Sequence, residues 1–461
     1  MTDRVPLYPG RVRLTPVSGQ TDVYDMTLED GATVTGTPLN KATLLTDATA
    51  ELLELESEDP TVDDALTQLA QTAGKIKIVD FYTQAPGVKQ EGVENLAGTP
   101  WWNAATSIGE YALFGGGNTV TSGSTNTASV IAYTAALVKS APAQLSTARC
   151  MLAGVNVGDY ALFGGGTNNA SAYYRNMDGY TSQLVSASVT ALDTARYGLS
   201  AANVGDYALF AGGRYTYGNT AAVDAYTSDL VHSTITELST ARYNLAATTI
   251  GDFALFGGGT SSDVVDVYSS ALVKSIATSL GGNRELLAAS SLNDYALFGG
   301  GRGSASSGEA SVYAYSPTLV MSAAPDMSAA RHSLAAAATA QFALFGGGVG
   351  PGSAAVDAYS SDLLHTTWES FSQERYSLAA AQIDGIVFFG GGRWSNTIYG
   401  TVDAYSANYI VSIDIPPWCA YKFDGFHDEE QITISGLPWF SAGMLNGYIK
   451  QGGFTVSGLI S

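Results

Sequence analysis

The sequence predicts an all-β fold, a seven-bladed β-propeller. Three features point to it: a string that recurs seven times, landmarks at fixed spacing around that string, and a composition suited to short strands and turns. The string Tyr-Ala-Leu-Phe-Gly-Gly-Gly begins at Tyr111 and recurs with variation at Tyr160, Tyr207, Phe253, Tyr295, Phe342 and Ile386. Ala211 replaces one first glycine, and the last copy reads Ile-Val-Phe-Phe before Gly390. An arginine lies eleven residues before each start from the second copy on: Arg149, Arg196, Arg242, Arg284, Arg331 and Arg375. A tyrosine lies sixteen residues before each arginine, from Tyr133 to Tyr359, and Tyr405 is the seventh of that series. All length variation falls between the glycines and the next tyrosine, 9 to 16 residues. Invariant spacing marks scaffold, and variable spacing marks a surface loop.

Each copy reads as four strands. The first follows the arginine, as in Arg242-Tyr-Asn-Leu-Ala-Ala-Thr-Thr-Ile, where small residues suit the crowded strand nearest the axis. A Gly251-Asp252 turn reverses the chain into a hairpin. The second strand alternates so that both faces can bury against neighbouring blades. Glycines end it, permitting positive φ and close backbone approach. After the variable loop come a third strand, Val-Asp-Ala-Tyr, and a fourth such as Leu230-Val231. Seven such copies close into a ring with no long exposed sheet edge. Pro100 stands where the first copy's arginine is due, so ring closure is expected at residues 85 to 110. The repeated arginines, and Asp224, Asp266, Asp357 and Asp403, read as structural, the arginines donating to backbone carbonyls at each blade's turn.

The double glycine after an apolar strand, the tyrosine after a variable loop and the Ser-Thr-Ala-Arg segment resemble the kelch family over about two thirds of the chain. The family's outer-strand tryptophan is mostly missing. Val138, Val185, Val231 and Val273 sit near its place, which makes this a divergent, kelch-like branch. Some kelch-type propellers are copper oxidases and others act on sialic acid. A copper site needs clustered His, Tyr and Cys ligands. The four histidines here are His232, His332, His365 and His427, of which His232 and His365 share one outer-strand repeat position with Lys139 on different blades. No Asp-box, nucleophile elbow or paired-carboxylate signature occurs, and no lysine follows the glycine triplets as a phosphate loop requires. No catalytic residue, metal or cofactor is expected.

Net charge is −21, which would repel nucleic acid and anionic membrane surfaces. With two cysteines there is no disulfide framework, and no run of 18 apolar residues exists to span a membrane. The first residues lack the apolar core of a secretory signal.

Four regions follow: 1–75, an N-terminal α+β attachment and oligomerisation region; 76–99, a linker; 100–414, the propeller; and 415–461, a short C-terminal β appendage. Apolar stripes after Asn40 and after Asp59-Pro60 predict two short helices, packing on each other or on symmetry mates. The segments starting at Tyr8, Val23 and Gly36 are similar to the start of tail-fibre and tail-appendage proteins of bacteriophages and prophages of Gram-positive hosts. That resemblance implies a homo-oligomer (trimer foremost), N-terminal attachment to other tail or baseplate proteins, and a place in the virion, extracellular after release.

The variable loops carry the candidate binding residues: Tyr173, Tyr174, Arg175, Arg214, Tyr215, Tyr217, Arg302, Arg393, Trp394 and Tyr399. In an up-and-down blade these loops and the turns before the first strands open on one ring face. Aromatic rings there stack on apolar sugar faces or anchor a protein interface, and guanidinium forks pair with carboxylates. The expected function is a receptor-binding adhesin recognising a host-surface glycan or protein. The alternatives are a structural tail or baseplate protein and a carbohydrate-active enzyme.

Overall fold

The computed structural model describes residues 87–407 apart from 99, 170, 293 and 304–306, together with five strands outside that span. Its contacts divide the chain into two units, Gln84–Asn408 and a second made of Met1–Thr83 with Tyr409–Ser461. In the second unit Val12–Pro16 pairs antiparallel with Tyr24–Leu28, and Ile410–Asp414, Gln431–Ser435 and Phe454–Val456 form a parallel sheet. The helices expected after Asn40 and Asp59 lie outside the described residues. Among the described residues no helix is long and apolar enough to cross a membrane.

Unit Gln84–Asn408 is an all-β seven-bladed propeller, each blade a four-stranded antiparallel sheet. The fourth blade is representative: Ala246–Ile250, Phe253–Gly257, Val265–Ser269 and Lys274–Ala277, in sequence order from the axis outward. Two expectations are corrected here. The outer strand of the third blade begins at His232, beyond Leu230-Val231. Leu230 instead turns the chain at φ 61°, its N–H donating to the Thr227 carbonyl, and Val231 is 61% exposed. Ile410–Asp414, assigned above to the propeller, pairs with Gln431–Ser435 because the ring's last strand ends at Ser406.

The seventh blade, Ala379–Ile383, Ile386–Gly390 and Val402–Ser406, takes its outer strand from upstream. Val88–Gln90 pairs antiparallel with it, Val88 opposite Ser406. A segment read as linker therefore closes the ring. Lys89 reaches Asp403 at 3.0 Å and Gln90 donates to the Ser406 hydroxyl at 2.8 Å. The chain therefore enters and leaves the propeller side by side, at the end where the hairpin turns lie, opposite the variable loops.

Two backbone devices join the blades. The N–H of Met151 donates to the Trp102 carbonyl, Gly198 to Met151, Asn244 to Gly198, Leu286 to Asn244, Ser333 to Leu286, Ser377 to Ser333 and Trp102 to Ser377. This is a closed cycle of seven hydrogen bonds around the axis. Every member is left-handed, with φ between 53° and 62°, a conformation that costs non-glycine residues energy and persists only where its surroundings enforce it. In the second device the last glycine of each triplet donates to the carbonyl of the next blade's arginine position, as Gly259 does to Arg284 at 2.9 Å and Gly392 to Pro100 at 2.9 Å.

Packing between blades follows from the second and third strands. Phe256 meets Tyr268 edge to face at 5.9 Å, and every blade repeats the pair, from Phe114 with Tyr133 to Phe389 with Tyr405. Each of these tyrosines is fully buried. Tyr268 donates its hydroxyl to the Thr236 carbonyl on the crossover from the preceding blade. Burial first, and for most of them a neighbouring carboxylate, pushes all seven phenols far above their ordinary range. A raised folded-state value means that the stability they confer is present below the unfolded phenol's pKa of about 10 and is lost as pH rises above it. Absorbance titration at 295 nm should thus find seven of the 26 tyrosines silent until the protein unfolds in alkali. Smooth titration of all of them in the folded state would contradict this packing.

Candidate binding site at the mouth of the ring

The repeated arginines donate to backbone carbonyls, as the sequence suggests: Arg242 Nη2 reaches the Phe256 carbonyl at 3.0 Å. They also form ion pairs with the aspartates of their own blades. Arg149 with Asp178, Arg196 with Asp224, Arg242 with Asp266 and Arg375 with Asp403 lie at 2.5 to 2.8 Å, and Arg331 pairs with Asp357. The second carboxylate oxygen takes the N–H of the crossover, Ser239 for Asp266. Further out, His232, His365 and Lys274 reach the same aspartates. These histidines are thus partners of the scaffold, and among the described residues no three His, Cys, Asp or Glu side chains converge to hold a metal. His427 lies outside the described residues. Blade five replaces the aspartate with Tyr313, whose ring sits 4.8 Å from the Arg284 guanidinium. Blade one has Pro100 and Ile131 at the two positions, so both members of the pair are missing together.

With the arginines anchored, the residues that follow them are held against the residues that follow the glycine triplets: Tyr197 against Arg214, Glu285 against Arg302, His332 against Val349 and Tyr376 against Arg393. These bridges surround a depression of about 500 Å³ on the variable-loop face, over the hydrogen-bonded cycle. Its walls include Tyr173, Tyr197, Tyr243, Tyr376, Arg302 and His332. Tyr173 stacks on Tyr197 at 5.2 Å, and Tyr197 meets Tyr243 edge to face at 6.1 Å, forming a continuous half-exposed shelf. Gly198 leaves that shelf uncovered, since a Cβ there would stand 3.2 Å from the Tyr243 ring.

The candidate residues named from sequence separate into groups. Tyr173 and Arg302 line the depression. Arg214 stands at its edge, exposed, with its guanidinium 5.5 Å from the Tyr243 centroid. Arg393 lies between Trp101, at 4.2 Å, and Tyr376, at 5.4 Å. It donates to the Tyr376 hydroxyl and the Thr121 carbonyl, so it fastens blade seven to blade one. Trp394 packs on Tyr376 at 6.2 Å. Tyr215 and Tyr217 cap a separate hairpin, Tyr217 being 87% exposed. Tyr174, Arg175 and Tyr399 are not among the lining residues. Tyr174 and Tyr399 are half-buried, with backbone N–H groups donating to Gly166 and Gly392, and Arg175 is exposed.

Sequence reasoning missed Tyr197, Tyr243, Tyr376 and His332. Their signal was positional: each directly follows an invariant arginine, in a column that varies freely in chemistry.

One ion pair stands against the wall of the depression. Glu285 Oε1 accepts from Arg302 Nε at 3.0 Å and Nη2 at 2.7 Å, while Oε2 accepts from Thr260 and Asn244. Burial would raise the Glu285 carboxyl, but these hydrogen bonds and the Arg302 charge outweigh it and hold it below the ordinary range. Burial first, then the charge of Arg302, lowers His332 below its ordinary value, so it is neutral at pH 7.

No protein-family model matches this chain, and no curated protein does. Among solved structures, one titled "Structure of YjhT" is similar at 11% identity with a TM-score of 0.47, the match covering 57% of this chain and 95% of that one. The propeller assignment rests on the sheets and the closed cycle described above.

Proposed function

We propose that this chain is a receptor-binding module of a virion tail appendage, with the propeller mouth engaging a glycan on a host surface. The observation that carries the binding reading is the tyrosine shelf: Tyr173, Tyr197 and Tyr243 stand half-exposed along a depression of about 500 Å³. Pyranose rings present apolar C–H faces that stack on such rings, and a concave, partly aromatic site with a few fixed polar groups is the usual form of a small-ligand pocket. The two ends of the ring support presentation, because Val88 and Ser406 lie on the propeller face opposite the mouth. The virion reading draws on the N-terminal resemblance, and a kelch-like ancestry on the repeat landmarks.

Tyr197→Ala is expected to weaken binding of the intact chain to susceptible cells at least about tenfold, the effect of losing one central stacking residue. Tyr217→Ala, on the separate hairpin, should leave binding within about twofold. Fluorescently labelled protein and flow cytometry would measure both. Equal binding by wild type and Tyr197→Ala, or no binding to any host surface, would favour a structural tail protein instead.

A further inference from the structure

The mouth carries the opposite charge to the chain around it. Asp and Glu total 42 against 21 Lys and Arg, yet the walls of the depression hold Arg302 as their one charged side chain, beside the neutral His332, and no carboxylate. Glu285, behind Arg302, is consumed by four hydrogen bonds. Arg302 remains 38% exposed despite that pair. Arg214 is exposed beside Tyr243, and among the described residues it has no ion-pair partner. Arg393 adds a third positive charge at 4.2 Å from Trp101, although the Tyr376 hydroxyl and the Thr121 carbonyl occupy its donors. A cationic concavity with aromatic, low-dielectric walls inside an acidic shell focuses the field and draws anions to one place.

We infer that the mouth selects an anionic sugar, one bearing a carboxylate or a phosphate, whose ring lies on Tyr197 and Tyr243 while Arg214 and Arg302 read its charge. This rests on the binding reading above and specifies its ligand class. Guanidinium groups suit both anions, because each presents paired oxygens to a planar fork of N–H donors. Glu285 is a positioning residue in this scheme. It orients Arg302 without cancelling the charge at Arg214. Gly198 admits the ring, since any side chain there would press on Tyr243 and on Asn244 Oδ1, 3.1 Å from the added carbon.

Calorimetric titration of the full chain with two matched pairs of probes tests this: tetragalacturonate against its methyl ester, and phosphopentamannose against its dephosphorylated form. One charged probe should bind at least about tenfold more tightly than its neutral partner, and added salt should shrink that preference. Arg214→Gln and Arg302→Gln should each cut the preference to about threefold or less, and Arg302→Lys should retain more of it than Arg302→Gln. The late tyrosine titration serves to verify that each variant is folded. Equal affinity for charged and neutral partners would overturn the inference while leaving the binding reading intact. So would silence from all four probes where Tyr197→Ala still abolishes cell binding. Cell binding indifferent to Tyr197 would overturn the reading beneath it.

Discussion

Gly258→Ala should destabilise the propeller by about 3 kcal/mol or more, among the largest effects of any single methyl group in this chain. The backbone at Gly258 has φ 68°, which alone costs an alanine roughly 1–2 kcal/mol. The added carbon would also stand 2.5 Å from the Arg284 carbonyl of the next blade, closer than real contacts allow. That carbonyl cannot retreat, because it accepts the N–H of Gly259, and its own residue begins the turn into the axial cycle. Gly282→Ala is the matched control: no atom lies within 4 Å of its added carbon, and restricting the unfolded chain there should leave stability unchanged or up to about 1 kcal/mol higher. Urea midpoints would compare the two. Equal losses would mean that the glycine triplets are simply turn residues.

Removing Arg242 by Arg242→Met should cost about 3–5 kcal/mol, and adding Asp266→Ile should restore a large part of that loss. Arg242 and Asp266 are both fully buried, 2.8 Å apart. Deleting one partner strands the other's charge away from water, while deleting both leaves a cavity that apolar side chains fill. Blade one is a natural version of the double replacement, with Pro100 and Ile131. Lys274, 17% exposed and 3.2 Å from Asp266, can turn its ammonium to solvent when the carboxylate goes. The same pair predicts acid sensitivity. Burial would raise Asp266, but bonds from Ser239 and the Arg242 charge hold it below the ordinary value, and Arg375 and Lys89 do the same for Asp403. Depressed carboxylates confer stability above the unfolded pKa of about 3.9 and lose it as pH falls through the folded value. Denaturation midpoints should therefore drop below about pH 4, and less so in the double variant. A double variant no better than Arg242→Met alone would show that the pair is held by something other than mutual charge.

Those aspartates also show where the sequence was readable and where it was not. Seven blades, their strand order and the loop-bearing face all followed from spacing, because the chain repeats its scaffold in register. The pairing of Arg242 with Asp266 did not. Asp178, Asp224, Asp266 and Asp357 lie at constant distance from the following blade's arginine, whereas the true partners are 24 to 29 residues upstream across the variable loop. Variable spacing between the partners therefore hid the pairing. Ring closure falls within residues 85 to 110 as expected, but its form as the strand Val88–Gln90 was hidden for a different reason: a three-residue strand carries too little alternation to register, and it matches no other part of the repeat. The site was half visible. Loop aromatics such as Tyr173 were conspicuous as departures from the repeat, while Tyr197 and Tyr243 sat in a column next to the arginines that reads as framework. Arg393 and Trp394 have the composition of a binding surface, yet Arg393 fastens blade seven to blade one and Trp394 packs on Tyr376 within blade seven.

The upstream strand in the seventh blade bears on how the protein would carry load. A pull along Val88–Gln90 strains its bonds to Ala404–Ser406 side by side, so they must break together. Tension that separates Val88 from Ser406, which lie opposite each other at one end of the strands, would instead peel those bonds apart one after another. The clasp that completes the circle is thus strong against a pull along its strands and weak against one that parts them from the end.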